Sequence, residues 1–114
     1  MTRRIEFDKI SVFLHKKPGA NVVDMSGDLS YADHHKVRET LRDIFKETFP
    51  DVVLNLASLN HVDSAGLGVL VGLRLFQSRD DGQIRLTGVP RSVRKLLKDC
   101  RLEKLFSIEQ EAAG

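Results

Sequence analysis

Between Ile10 and Ser26 the chain alternates. Ile10, Val12 and Leu14 stand at every second position, Pro18-Gly19 interrupts within His15 to Ala20, and an alternating run resumes from Asn21 to Ser26. A period of two on either side of a turn dipeptide predicts a β-hairpin. From Tyr31 to Thr48 the period lengthens: Val37, Leu41, Ile44 and Phe45 fall at i, i+4, i+7 and i+8, the apolar stripe of an amphipathic helix. Ser30 or Asp33 is available to cap it and Pro50 stops it. Val52 to Leu56 is nearly continuous in apolar residues, as in a strand at the centre of a sheet or covered on both faces. Ala57 to Asp63 reads as a connecting loop, followed by a second helix from Ser64 to about Ser78. Asp81-Gly82 marks a turn, Gln83 to Thr87 another strand, and Pro90 the start of a third helix with Val93, Leu96, Leu97 and Cys100 on one face. Strands alternating with helices predict an α/β sheet with a hairpin at its start.

A chain of 114 residues suits one domain, 1–114, with no room for a second core. Its 41% hydrophobic and 30% charged residues are those of an ordinary globular protein. The net charge of +2 is too small to imply nucleic acid without a concentrated patch. One patch exists in the third helix, where Arg91, Arg94, Lys95 and Lys98 share a face and Arg101 and Lys104 follow. With no aromatic residues interleaved it reads as a solvated face, and less readily as a dock for an acidic partner. The single Cys100 forms no intrachain disulfide, and MTRRIEFDKI lacks a secretory apolar core, so a cytoplasmic location is expected. The longest apolar stretch, Ala65 to Phe76, is broken by Arg74 and too short to span a bilayer, and a monomer is expected for the chain alone.

These elements place one motif where chemistry gathers in α/β folds, just beyond the carboxyl end of a strand: VDSAGLG at 62–68. Ser64 there can be an N-cap, its hydroxyl accepting an orphan N–H of the first turn. The same place suits a phosphorylated serine, since a helix N-terminus stabilises negative charge. Gly66, Gly68 and Gly72 each cost a helix about 1 kcal/mol relative to alanine, so something other than helix stability favours them. Close packing on the sheet accounts for Gly72. For Gly66 and Gly68, packing stands beside a second reading, that they leave Ser64 uncrowded for another protein's approach.

Other chemistries fit less well. A serine nucleophile elbow needs glycine where Val62 stands, and His61 is too near in sequence to serve Ser64 as base. A dinucleotide fingerprint beginning at Gly66 would need glycine at Val71. Of the four histidines, His34 and His35 are adjacent and should splay around their helix, and no metal-binding set emerges. No cofactor or catalytic residue is expected.

The segments VVDMSGDLS (22–30), DVVLNLASLNHVDSAGLGVLVGL (51–73) and GQIRLTGVPRSVRKLLKDCRLEKLF (82–106) together resemble the STAS domains of the bacterial anti-sigma factor antagonist family over nearly the whole chain. Where that family often has Leu-Asp after the second strand's glycine, this chain reads Gly27, Asp28, Leu29, Ser30. The resemblance implies a STAS fold: a mixed four- to five-stranded sheet with an N-terminal hairpin, packed by about four helices. It implies a partner-switching module, not an enzyme. Ser64 would be phosphorylated by an anti-sigma factor that is also a serine kinase of the histidine-kinase-like ATPase class, and reset by a metal-dependent serine phosphatase. Asp28, His61, Asp63, Ser64, Ala65, Gly66, Leu67 and Gly68 would meet the partner. Two alternatives accompany this: a STAS subunit of a membrane transporter ATPase assembly, and a small nucleotide-binding protein.

Overall fold

A computed structural model of the chain describes residues 2–17, 20–46, 51–77 and 84–109. Six strands and three α-helices follow in the order β1 (Thr2–Glu6), β2 (Ile10–Lys17), β3 (Ala20–Leu29), α1 (His34–Lys46), β4 (Val52–Val62), α2 (Ser64–Gln77), β5 (Ile84–Thr87), α3 (Arg91–Asp99), a 3-10 turn (Glu103–Leu105) and β6 (Ser107–Ile108). The sheet order is the chain order. The first three strands form an antiparallel meander, and β3, β4, β5 and β6 are parallel neighbours. Each parallel step requires a crossover, supplied in turn by α1, α2 and α3.

One face of the sheet is sealed. Ile10, Val12 and Leu14 of β2, Val23 and Met25 of β3, Val52, Leu54 and Leu56 of β4, and Ile84 and Leu86 of β5 are buried, together with Val37, Leu41 and Ile44 of α1, Leu70 and Leu73 of α2, and Val93 and Leu97 of α3. The alternate residues Phe13, Asp24, Val53 and Asn55 are half-buried and Arg85 is exposed. The apolar run from Val52 therefore marks a central strand covered on one face, and its second apolar side is only partly shielded.

The hairpin is β2 and β3, paired from Ile10↔Gly27 to Lys17↔Ala20; Pro18-Gly19 lies outside the described residues, as do Asp81-Gly82 and Gln83. The sheet has six strands where four to five were expected, because both added strands carry little apolar signal. In β1 only Ile5 is packed against the core, while Arg3, Arg4 and Glu6 are exposed. Arg4 pairs with Glu6 and lies 5.1 Å from the centre of the Phe13 ring, so the strand is a charged edge held by its neighbour. β6 is two residues long and adds the Glu109 N–H to Leu86 O bond at 2.9 Å. Among the described residues the helices number three with a 3-10 turn, in place of about four. α1 begins at His34, three residues later than its pattern suggested, and Phe45 falls among the residues whose side chains are not described.

The expected loop Ala57–Asp63 is strand as far as Val62. β4 runs on beside β3 through Ser26↔Ser58, Gly27↔Leu59, Asp28↔His61 and Leu29↔Val62, with two register shifts that each add a residue to β4. Beyond Asn55↔Thr87 its one neighbour among the described strands is β3, and Ser58, Asn60 and His61 are exposed and dilute the apolar signal. Gly27, between the shifts, has φ +112°, a conformation that disfavours any other residue.

The turn before β2 is tied into this region. The Lys9 carbonyl accepts the Asp28 N–H at 2.8 Å, and the Lys9 N–H donates to Asp33 Oδ2 at 2.7 Å. Asp33, 3% exposed, thus spends one carboxylate oxygen on joining β1–β2 to the entry of α1, and its backbone carbonyl accepts the Val37 N–H.

Candidate functional site

The end of β4 passes straight into α2 with Asp63 as the joint. Asp63 Oδ1 accepts the Gly66 N–H at 2.9 Å, and the Asp63 carbonyl accepts the Leu67 N–H at 2.9 Å. A side-chain oxygen on the third helical N–H and a carbonyl making the first helical bond define an N-cap. The cap is therefore Asp63, which corrects the expectation that the Ser64 hydroxyl fills that role. Ser64 is the first residue of the helix and is exposed.

Asp63 does more than cap. Its Oδ2 accepts the Tyr31 N–H at 3.0 Å, so one carboxylate bridges the β3–α1 connection and the first turn of α2. The Gly66 N–H holds its pKa below the ordinary aspartate value; partial burial acts the other way, and the Tyr31 and Ala65 N–H groups and the nearby His61 add to the lowering. Aspartate and serine cap equally well and stand side by side here, so local pattern does not choose between them. The choice is made by the Tyr31 N–H, which arrives from a segment 32 residues away.

The residues expected to meet a partner divide into two groups. His61, Ser64 and Gly68 are exposed, and Asp28 and Ala65 are half-buried. Asp28 and His61 are paired neighbours at the carboxyl ends of β3 and β4. Gly68, four residues on from Ser64 and hence on the same helix face, has open space where a Cβ would stand. Gly66 and Leu67, in contrast, are buried. A Cβ on Gly66 would overlap the Leu29 carbonyl and come within 3.1 Å of Leu29 Cγ, so this glycine lets α2 close on the end of β3. Gly72 is the reverse case: among the described residues its Cβ would meet only Arg38 Cδ at 3.7 Å, an ordinary contact. The packing role assigned to Gly72 thus belongs to Gly66.

One surface residue escaped the sequence reading. Tyr31 is 75% exposed, its ring stacked on His34 at 5.1 Å between centres, while its N–H binds Asp63 beside Ser64. The available signal is the chain's single tyrosine in the short run between β3 and α1, a run that the helical pattern from Tyr31 includes in the helix. His34 and His35 also depart from expectation: their rings lie 4.2 Å apart instead of splaying, because His34 Nδ1 turns back to the Tyr31 carbonyl at 2.6 Å. Arg91, Arg94, Lys95 and Lys98 all lie exposed on α3.

A parallel sheet entered through an antiparallel hairpin, with an exposed serine at the first position of the helix after its central strand, defines a class, and the STAS domain model matches residues 12–113. The chain belongs to the STAS domain family. Among its relatives is the anti-sigma-B factor antagonist of Staphylococcus epidermidis, 27% identical over 88 residues that span 77% of this chain and 82% of the relative. An anti-sigma factor antagonist from Mycobacterium paratuberculosis superposes with a TM-score of 0.78 at 16% identity, covering 95% of this chain and 92% of that one. The Bacillus cell fate determinant SpoIIAA in its phosphorylated form gives 0.68 at 19% identity, with 90% and 94% covered. At these identities the structures attest the fold. Among the described residues no helix is long and apolar enough to cross a membrane.

Proposed function

We propose that the chain is an anti-sigma factor antagonist switched by phosphate on Ser64. The observation that carries this reading is the division of labour at the start of α2: Asp63 caps the helix, and the Ser64 hydroxyl stands exposed beside it. A hydroxyl that the helix start does not use as its cap is open to modification. The relative named as an antagonist and the phosphorylated form of SpoIIAA lend support.

The partner in this reading is an anti-sigma factor with serine kinase activity. The Ser64 Oγ loses its proton and bonds to the γ-phosphorus of ATP as ADP departs. A metal-dependent serine phosphatase later hydrolyses the ester, returning the hydroxyl and inorganic phosphate. The chain itself is a substrate and binding module of the cytoplasm, a single domain, monomeric when alone. Unphosphorylated, it holds the anti-sigma factor through Ser64, Gly68, His61 and the Tyr31–His34 pair, freeing the sigma factor. The phosphoester brings about −1.5 to −2 charges next to the Asp63 carboxylate. Against an acidic group about 6 Å away across an interface, each unit of that charge costs about 1–3 kcal/mol, enough to release a partner.

The test uses the anti-sigma kinase that co-purifies with the chain, with labelled ATP. Wild type is expected to take up one phosphate and dissociate, Ser64→Ala to take up none and stay bound, and Ser64→Asp to bind weakly. Tyr31→Ala is expected to bind about tenfold or more weakly with an unchanged melting temperature, since the Asp63 bond uses the backbone N–H. No phosphate on wild type, together with undiminished binding by Ser64→Asp, overturns the reading.

A further inference from the structure

Eight residues past Ser64, two turns and about 12 Å further along α2, that helix opens into a cleft against α1. Arg38 and Arg42 of α1 line it with Gly72, Leu75 and Phe76 of α2, around a volume of about 320 Å³. Three features set it apart from an incidental groove. Arg38 is fixed against its own helix: its Nε is buried, with no hydrogen-bond partner among the described residues, and its Nη2 lies 3.4 Å from His35 Nδ1. A half-buried guanidinium held in this way is partly desolvated, and an anion bonded to its outer nitrogens would offset that cost. The Arg42 guanidinium lies 5.2 Å from the centre of the Phe76 ring, so cation and aromatic face are presented together. Gly72 forms part of the lining although nothing close-packed among the described residues requires a glycine there and the helix loses about 1 kcal/mol by having one. What the missing side chain provides is depth.

We infer that this cleft binds a small organic anion. Its carboxylate or phosphate accepts hydrogen bonds from Arg38 and Arg42, and its planar or aliphatic body lies along Phe76 and the 59% exposed Leu75. Two guanidinium groups one helical turn apart form a forked donor set suited to either anion. Among the described residues that line it there is no carboxylate to compete. The volume sits at the lower end of the roughly 300–1,000 Å³ range of ligand sites, which selects a ligand of one or two rings or a short chain. The site is separate from Ser64 and does not depend on the switching proposal.

Three probes test it by amide chemical-shift titration of the whole chain: 1-naphthoate, 1-naphthyl phosphate and the neutral 1-naphthalenemethanol. Saturable shifts centred on residues 38, 42, 72, 75 and 76 are expected for one or both anions, and the stronger of the two names the headgroup. The neutral alcohol and Arg38→Met should each lower affinity about tenfold or more. Gly72→Leu fills the floor while improving helix propensity, so it should melt at or above the wild-type temperature and lose the anion; it decides the matter if Arg38→Met does not fold. Any of three results overturns the inference: no saturable local shifts up to about 5 mM ligand, equal binding of the alcohol, or shifts centred on Tyr31 and Ser64.

Discussion

Replacing Asp63 by alanine removes three interactions that a single carboxylate makes, and the neighbouring Ser64→Ala supplies its control. Losing an N-cap side chain costs about 1 kcal/mol, within a range of 0.5–2. Losing negative charge at a helix N-terminus costs about 0.3–1 kcal/mol more at low salt. The Tyr31 N–H bond is solvent-exposed, so its loss adds about 0.5 kcal/mol, the low end for a hydrogen bond. The total is about 2 kcal/mol, which at about 4 °C per kcal/mol lowers the melting temperature by about 8 °C. Ser64→Ala exchanges an exposed residue for the best helix former and should stay within about 0.5 kcal/mol of wild type. Asp63→Asn keeps a capping oxygen without the charge and should fall between. The assay is thermal and urea unfolding by circular dichroism at pH 7 and low salt. The gap between wild type and Asp63→Asn also carries a pH signature. Because the folded-state pKa of Asp63 is depressed, its contribution is present above the unfolded value of about 3.9 and is lost as pH falls through the lower, folded one. The gap should therefore close in acid. A Ser64→Ala loss equal to or greater than that of Asp63→Ala refutes the assignment of the cap, and a gap that widens in acid refutes the electrostatic account.

Two further outcomes follow from backbone geometry. Gly66→Ala is expected to destabilise severely or prevent folding, since its Cβ overlaps the Leu29 carbonyl, whereas Gly68→Ala should stabilise by about 0.5–1 kcal/mol; unfolding curves of the pair check this, and a Gly66→Ala protein of wild-type stability would contradict it. At the end of α3, Arg101 has φ +58° and the Arg101 and Leu102 N–H groups return to the Lys98 and Leu97 carbonyls, a capping turn that favours glycine; Arg101→Gly should raise stability by about 1 kcal/mol in the same assay.

What was legible beforehand shares one physical basis, a strong local period on an element with one dry face. The β2–β3 hairpin, the stripe of Val37, Leu41 and Ile44, the start of α2 at Ser64 and the Pro90 entry to α3 all have it, and all stand in the structure as read. Such patterns report burial, and burial on one face is what a covered sheet and its crossover helices demand. The motif at 62–68 was legible for the same reason, as the step from a central strand to an apolar helix. Elements held by a neighbour and not by their own apolar face were not legible. β1 is a charged edge, β6 spans two residues, and the polar half of β4 is strand because β3 lies beside it. The site divides in the same way. Its serine and its place on the helix follow from local order, but the cap belongs to Asp63 because a segment 32 residues away brings the Tyr31 N–H to the second oxygen. Likewise Gly66 is required and Gly72 is not because the Leu29 backbone lies against one and only the flexible Arg38 side chain against the other. Local spacing encodes which face of an element is dry; which of two equally suited residues does a job is decided by what the rest of the chain brings within hydrogen-bonding or van der Waals reach.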